Sequence, residues 1–179
     1  MRLFIAIPLP KSVKRCLSEL EQPIEGVRWQ KGGQYHLTLK FLGNTDEGKV
    51  ELLQQKLSEI DFSAFSISIN RFGYFPQGRH PKVLWVGIKE SKKVVDLYDC
   101  IEDKCVSIGF EADNHSFQPH ITLARTKGAR KRDVLSFINE HKQFCIPNIA
   151  VNDFVLYESR LHPNGAKHIR LKTFPLKDS

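Results

Sequence analysis

His36-Leu37-Thr38-Leu39, and again His120-Ile121-Thr122-Leu123: the chain carries one four-residue pattern twice, with an offset of 84 from 36 to 120. In an extended segment successive side chains point to opposite faces, so each copy turns His and Thr one way and two apolar residues the other. Each copy is a polar pair backed by core. Seven histidines and five threonines in 179 residues would give His-x-Thr roughly 0.2 times by chance. Two copies, both flanked by apolar residues, ask for a shared role.

Chemistry supplies that role. Imidazole titrates nearest neutrality, so two of them can stand in opposite protonation states, one as general base and one as general acid. A Thr hydroxyl two residues along the same face can donate a hydrogen bond to a phosphate oxygen held between them. Two such pairs suit in-line displacement at phosphorus without a metal or a covalent intermediate. The competing view is that both are ordinary half-buried strands with rim histidines, and the matched pair weighs against it.

At these residues the sequence resembles the two-histidine (2H) phosphoesterase superfamily, defined by paired H-x-T-x motifs with apolar x. Within it the resemblance is to the bacterial and archaeal RNA 2',3'-cyclic phosphodiesterases, once described as 2'-5' RNA ligases. It extends over Met1 to Ile7, His36 to Gly43 (HLTLKFLG), Val83-Leu84-Trp85, Pro119 to Arg125 (PHITLAR) and Leu161 to Gly165 (LHPNG). His168 stands where that family leads one to expect Tyr. The resemblance implies hydrolysis of 2',3'-cyclic phosphate ends of RNA to 2'-phosphate ends, with no cofactor. It implies that His36 donates a proton to the leaving oxygen and His120 accepts one from water. Thr38 and Thr122 would hold the non-bridging oxygens, and Arg125 would help hold the phosphate. The near-symmetric motifs do not by themselves say which His is acid and which is base.

Around the motifs the pattern reads as alternating strands and helices. Leu3 to Leu9 forms a first strand, and Val13, Cys16, Leu17 and Leu20 place a helix over Lys11 to Glu21. A short extended piece around Trp29 precedes the first motif strand. Asn44 with Glu47 offers a capping box for a second helix through Val50, Leu53, Leu57 and Ile60. Phe65, Ile67 and Ile69 mark a strand, Gly73 to Pro81 a loop, and Val83 to Ile88 the next strand. Val94 to Ile108 gives a third helix. The order then repeats: the second motif strand, a basic helix with Val134, Phe137 and Ile138, and strands near Val151 to Tyr157 and Lys167 to Phe174 about a Pro163-Asn164-Gly165 turn. The expected fold is α+β, a single domain over 1–179. It has two lobes of sheet plus helix related by a pseudo-twofold, a central cleft, and an internal repeat whose motif strands are 36–39 and 120–123.

Composition bounds the partners. The charge of +7 points to an anion, and RNA with a 2',3'-cyclic phosphate end fits it. No run approaches the ~20 apolar residues of a membrane span. With no export signal, a cytoplasmic monomer with reduced cysteines is expected. No Gly-rich nucleotide loop or Cys/His cluster appears, so neither cofactor nor metal is expected. Lys40 shares the face of His36 and Thr38 if the strand stays regular, which would bring it to the same anion; otherwise it is a surface lysine. Two other functions stay open. One is action on 2'-5' linkages or small cyclic nucleotides, including 2'-5' ligation. The other is non-catalytic binding of RNA ends, which needs positive charge but not two titrating groups.

Overall fold

The computed structural model describes every residue except Glu90, Asn164 and Ser179. Its elements run β1 (Arg2–Pro8), α1 (Lys11–Ser18), β2 (Val27–Trp29), β3 (His36–Asn44), α2 (Glu47–Ser58), β4 (Phe65–Gln77) and β5 (His80–Lys89). They continue with α3 (Lys92–Ser107), β6 (His120–Thr126), α4 (Lys131–Glu140), β7 (Cys145–Val151), β8 (Asp153–His162) and β9 (Gly165–Pro175). The strands join in one sheet, ordered β7-β4-β5-β6-β3-β1-β8-β9, with β2 beside β6. This is the α+β, two-lobed arrangement expected from the sequence, with one refinement: the lobes share a single sheet. Four strands lie on either side of the β3·β6 junction, and the motif strands are the innermost on each side.

That junction is narrow. β3 and β6 meet through one register pair, Leu37 with Ile121, whereas β4 and β5 pair along most of their length. Beyond Ile121, β6 takes β2 as its neighbour, with Trp29 opposite Ala124 and Val27 opposite Thr126. The sheet therefore opens where the motif residues stand.

Apolar patterning decides which face the helices cover. Val13 and Leu17 of α1, Leu53 of α2, Leu97 of α3 and Phe137 of α4 all join one core with Leu37, Leu39, Ile121 and Leu123. The opposite face carries only a small cluster of Phe4, Ala6, Val155 and Tyr157. Burial of each large apolar side chain stabilises the fold by about 1.5–3 kcal/mol, and the helix-facing core holds most of them. The other face is left for chemistry.

Local expectations fail in three places. The segment Gly73 to Pro81 is a hairpin: β4 continues to Gln77, which pairs with His80 across Gly78 at φ +58°. Pro76 is tolerated because it sits at a register shift, where a missing N–H costs no regular ladder bond. Gly73 is needed there because a Cβ would lie 2.3 Å from the Trp85 ring. Secondly, Asn44 belongs to β3, opposite Arg2, and Asp46 takes the N-cap position of α2, so the Asn44–Glu47 box does not form. Thirdly, β7 is a strand the sequence pattern did not show: its burial alternates on either side of Asn148, whose φ of +55° sets the two parts out of step. Asn164 of the expected turn lies outside the described residues.

Candidate active site

His36 and His120 are the first residues of β3 and β6. Carrying the Leu37–Ile121 register one step each way sets His36 opposite Thr122 and Thr38 opposite His120. Leu37 and Ile121 face the core and are fully buried, so strand alternation places the four polar residues together on the other face. His36 and His120 are then a diagonal cross-strand pair, with backbones roughly 7–8 Å apart.

Both strands lose their regularity just after the motif. In β1·β3, Ile5 pairs with Lys40 and Ala6 with Thr38, leaving Leu39 as an extra residue. In β5·β6, Leu84 pairs with Ala124 and Trp85 with Thr122, leaving Leu123 extra. A bulge of this kind puts two residues against one and resets the alternation. Residues 39 and 40 both turn inward, as do 123 and 124, while Phe41 and Arg125 are exposed.

This corrects the reading of Lys40, which assumed a regular strand. Its side chain is 1% exposed, with Nζ 2.5 Å from a Glu102 carboxylate oxygen and 3.3 Å from Asp113. Burial pulls its pKa down, and the two carboxylates more than reverse that, leaving it above the usual lysine range. Lys40 ties β3 to α3 and does not reach the motif face. Arg125 is carried to the motif face by the matching bulge.

A cavity of about 550 Å³ opens on this face, with His36, Thr38, Thr122, Arg125, Arg28 and His168 in its wall. His120 is not in that wall; its ring packs edge-on to Phe75 at 4.8 Å and beside Trp85 at 6.3 Å. His36 has its own aromatic surround: Phe4 at 5.0 Å and His168, edge-on, at 5.1 Å. Sequence reasoning missed Arg28, which lies directly opposite Arg125 in β2·β6. A three-residue strand offers too short a pattern to place it.

The two imidazoles are held in usable states. His120 Nδ1 lies 2.7 Å from the Gln118 carbonyl oxygen. A carbonyl only accepts, so Nδ1 carries the hydrogen and Nε2 keeps a free lone pair. Burial lowers the pKa of His120, partly offset by that hydrogen bond. Burial lowers His36 further, to about 4, with the charges of His168, Lys14 and His120 pushing the same way and the Gln34 backbone opposing them. With no anion present, both rings are neutral at pH 7. Among the described residues, no group of three or more His, Cys, Asp or Glu side chains could hold a metal ion, and no helix is long and apolar enough to cross a membrane.

Comparison with known proteins gives one answer. The family described as LigT like Phosphoesterase matches the chain twice, over residues 7–85 and 86–168. The RNA 2',3'-cyclic phosphodiesterase of Archaeoglobus fulgidus is 30% identical over 177 residues, spanning 97% of this chain and 99% of the relative. That of Thermotoga maritima is 33% identical over 171 residues, 92% of this chain and 90% of its own. Among solved structures, the TT0787 protein of Thermus thermophilus superposes with a TM-score of 0.83 at 26% identity, covering 99% of both chains. Escherichia coli LigT complexed with 3'-AMP superposes at 0.78 with 25% identity, over 98% of this chain and 97% of that one.

Proposed function

This chain belongs to the LigT-like phosphoesterases, and on that premise we propose that it hydrolyses 2',3'-cyclic phosphate ends of RNA to 2'-phosphate ends. The observation that carries the reading is the quartet His36, Thr38, His120 and Thr122, set on one face about a single cross-strand pair. Phosphorus placed over the Leu37–Ile121 crossing has an imidazole on either side and a hydroxyl beside each.

In the proposed reaction water attacks phosphorus in line with the bond to the 3' oxygen. His120 accepts a proton from the water through Nε2, the free nitrogen left by its bond to Gln118. The P–O3' bond breaks as the new P–O bond forms, and His36 delivers its proton to O3'. Thr38 and Thr122 donate hydrogen bonds to the non-bridging oxygens, and Arg125 supplies charge from the cavity wall. The buried His36, neutral in the free protein, gains its proton alongside the substrate, because an adjacent anion favours the charged imidazolium. Solvent exchange then returns both rings to their starting states. Two ends of the chemistry thus come from two halves of the chain.

The test is to incubate 2',3'-cyclic mononucleotides and short cyclic-ended RNAs with the protein in excess chelator and to locate the phosphate in each product. The expected product is the 2'-phosphate, at a rate the chelator does not change. A 3'-phosphate product, or activity that a chelator abolishes and a divalent ion restores, contradicts the mechanism. Binding of cyclic-ended RNA without turnover would favour an RNA-end binder.

A further inference from the structure

β6 begins at His120, and the segment that leads into it, Phe110 to Pro119, is neither helix nor strand. From Asn114 to Pro119 the backbone makes no backbone hydrogen bond among the described residues. Pro119 has no N–H to donate, and it disfavours helical backbone at Gln118. Side chains must therefore hold the segment that delivers the second histidine.

They hold it at two points. Near its start, Lys40 of β3 donates to the Glu111 carbonyl oxygen at 3.1 Å and pairs with Asp113, while the Asp113 N–H donates to Glu102 of α3 at 2.7 Å. At its end, Phe117 lies flat on Tyr98 of α3, with ring centroids 4.1 Å apart and planes 5° from parallel. Tyr98 joins the two points, because its hydroxyl donates to Asp113 at 3.1 Å. Burial, with Asp113 and Glu102 close by, pushes the Tyr98 phenol above its usual range, so the hydroxyl stays a donor. Tyr98 is itself buried, which gives Phe117 a fixed surface to rest on.

The next residue carries the consequence. Gln118 is exposed, yet its carbonyl oxygen, 2.7 Å from His120 Nδ1, is the group that leaves Nε2 with the free lone pair. That carbonyl sits between the stiff ring of Pro119 on one side and the stacked Phe117 on the other. Its direction is set by where Phe117 is seated.

We propose that Phe117, seated on Tyr98, is a positioning residue that aims the Gln118 carbonyl and so fixes His120 with its hydrogen on Nδ1; the effect on rate rests on the phosphodiesterase reading. Phe117 is not in the cavity wall, so it acts through His120 and leaves substrate binding alone. A histidine with its hydrogen on Nε2 has no lone pair there to take a proton from water.

The experiment compares wild type, Phe117→Ala, Phe117→Leu and Phe117→Tyr by nitrogen NMR of the His120 ring in the free protein and by initial rates on adenosine 2',3'-cyclic phosphate. Wild type and Phe117→Tyr, which keeps the flat ring, should show the neutral His120 ring with its hydrogen on Nδ1 alone. Phe117→Ala should show a mixture with hydrogen on Nε2. Its kcat should fall about tenfold, short of the loss on removing the base outright, with KM within about twofold of wild type. Phe117→Leu keeps apolar volume without a flat face, and it should show the same mixture even where Phe117→Ala does not fold. A single Nδ1–H form in the Ala and Leu variants, or a mixture already present in wild type, overturns the positioning role whatever happens to stability. A mixture with unchanged kcat overturns its effect on rate. Absence of turnover by wild type overturns the phosphodiesterase reading, while the ring tautomer, read without substrate, still decides the role of Phe117.

Discussion

His36 shows how a side chain's surroundings set both its chemistry and a cost in stability. Burial holds it neutral down to a pKa of about 4, while in the unfolded chain it titrates near 6.5. Between these values the unfolded state binds the extra proton. Stability therefore rises with pH through this window and falls as the solution is acidified from about 6.5 to 4. At one pKa unit per 1.36 kcal/mol, the His36 contribution to that fall is about 3 kcal/mol. Urea denaturation of His36→Gln across this range should show a correspondingly shallower decline than wild type. An identical slope would mean that His36 is not held neutral by burial. The sequence made legible which residues share the face of His36 as far as Thr38 and Thr122, because strand alternation alone decides that. It did not reveal the burial, since Phe4, Tyr157 and His168 come from strands remote in the chain.

The paired bulges decide more about the cavity than any single residue. They exchange the faces of positions 40 and 41, giving Lys40 to the helix side and Phe41 to the open side. Strict alternation predicts the reverse, and residues 39–40 and 123–124 include no Gly, Pro or Asn to mark the bulge. Lys40 then needs partners, which α3 and the segment after it supply as Glu102 and Asp113. Asp113 in turn accepts a hydrogen bond from the Tyr98 hydroxyl at 3.1 Å, on the helix side of the sheet. Removing one member of a buried pair leaves the other uncompensated, so Lys40→Met should destabilise the protein by about 3–5 kcal/mol. Its kcat should stay within a few-fold of wild type under conditions where it is folded. A large loss of kcat with unchanged stability, read by denaturation and initial rates on the same samples, would return Lys40 to the anion site. Other elements were legible where their period ran unbroken: the helices were, as were β4 and β5 outside the Gly73 to Pro81 stretch, whereas that stretch and β7, whose period breaks at Asn148, were not. Gly73 and Pro76 look like loop residues, but in the folded chain one makes room for Trp85 and the other sits at a register shift.

Neither half of the sheet holds a complete site, and each half draws strands from both parts of the sequence. β3 with β1, β8 and β9 carries His36 and Thr38, β6 with β5, β4 and β7 carries His120 and Thr122, and the halves meet at Leu37 and Ile121. The pairing of β1 with β8 draws the start of the chain against a strand near its end, which closes the first half only when both are in place. Pattern reading found the two motif strands because they match, but it grouped each with the strands next to it in sequence, whereas β8 and β9 join the side of β3 and β4 and β5 join that of β6. It gave each half its own sheet, since nothing local in a sequence says which strands will lie side by side across 84 residues. The direct test of one phosphorus served by two histidines is the single-turnover rate on adenosine 2',3'-cyclic phosphate for His36→Ala, His120→Ala and the double variant. Each single substitution should lower the rate about a hundredfold or more, and the double should be little slower than the worse single, because the pair acts as one unit. Near-wild-type turnover in either single variant would contradict it.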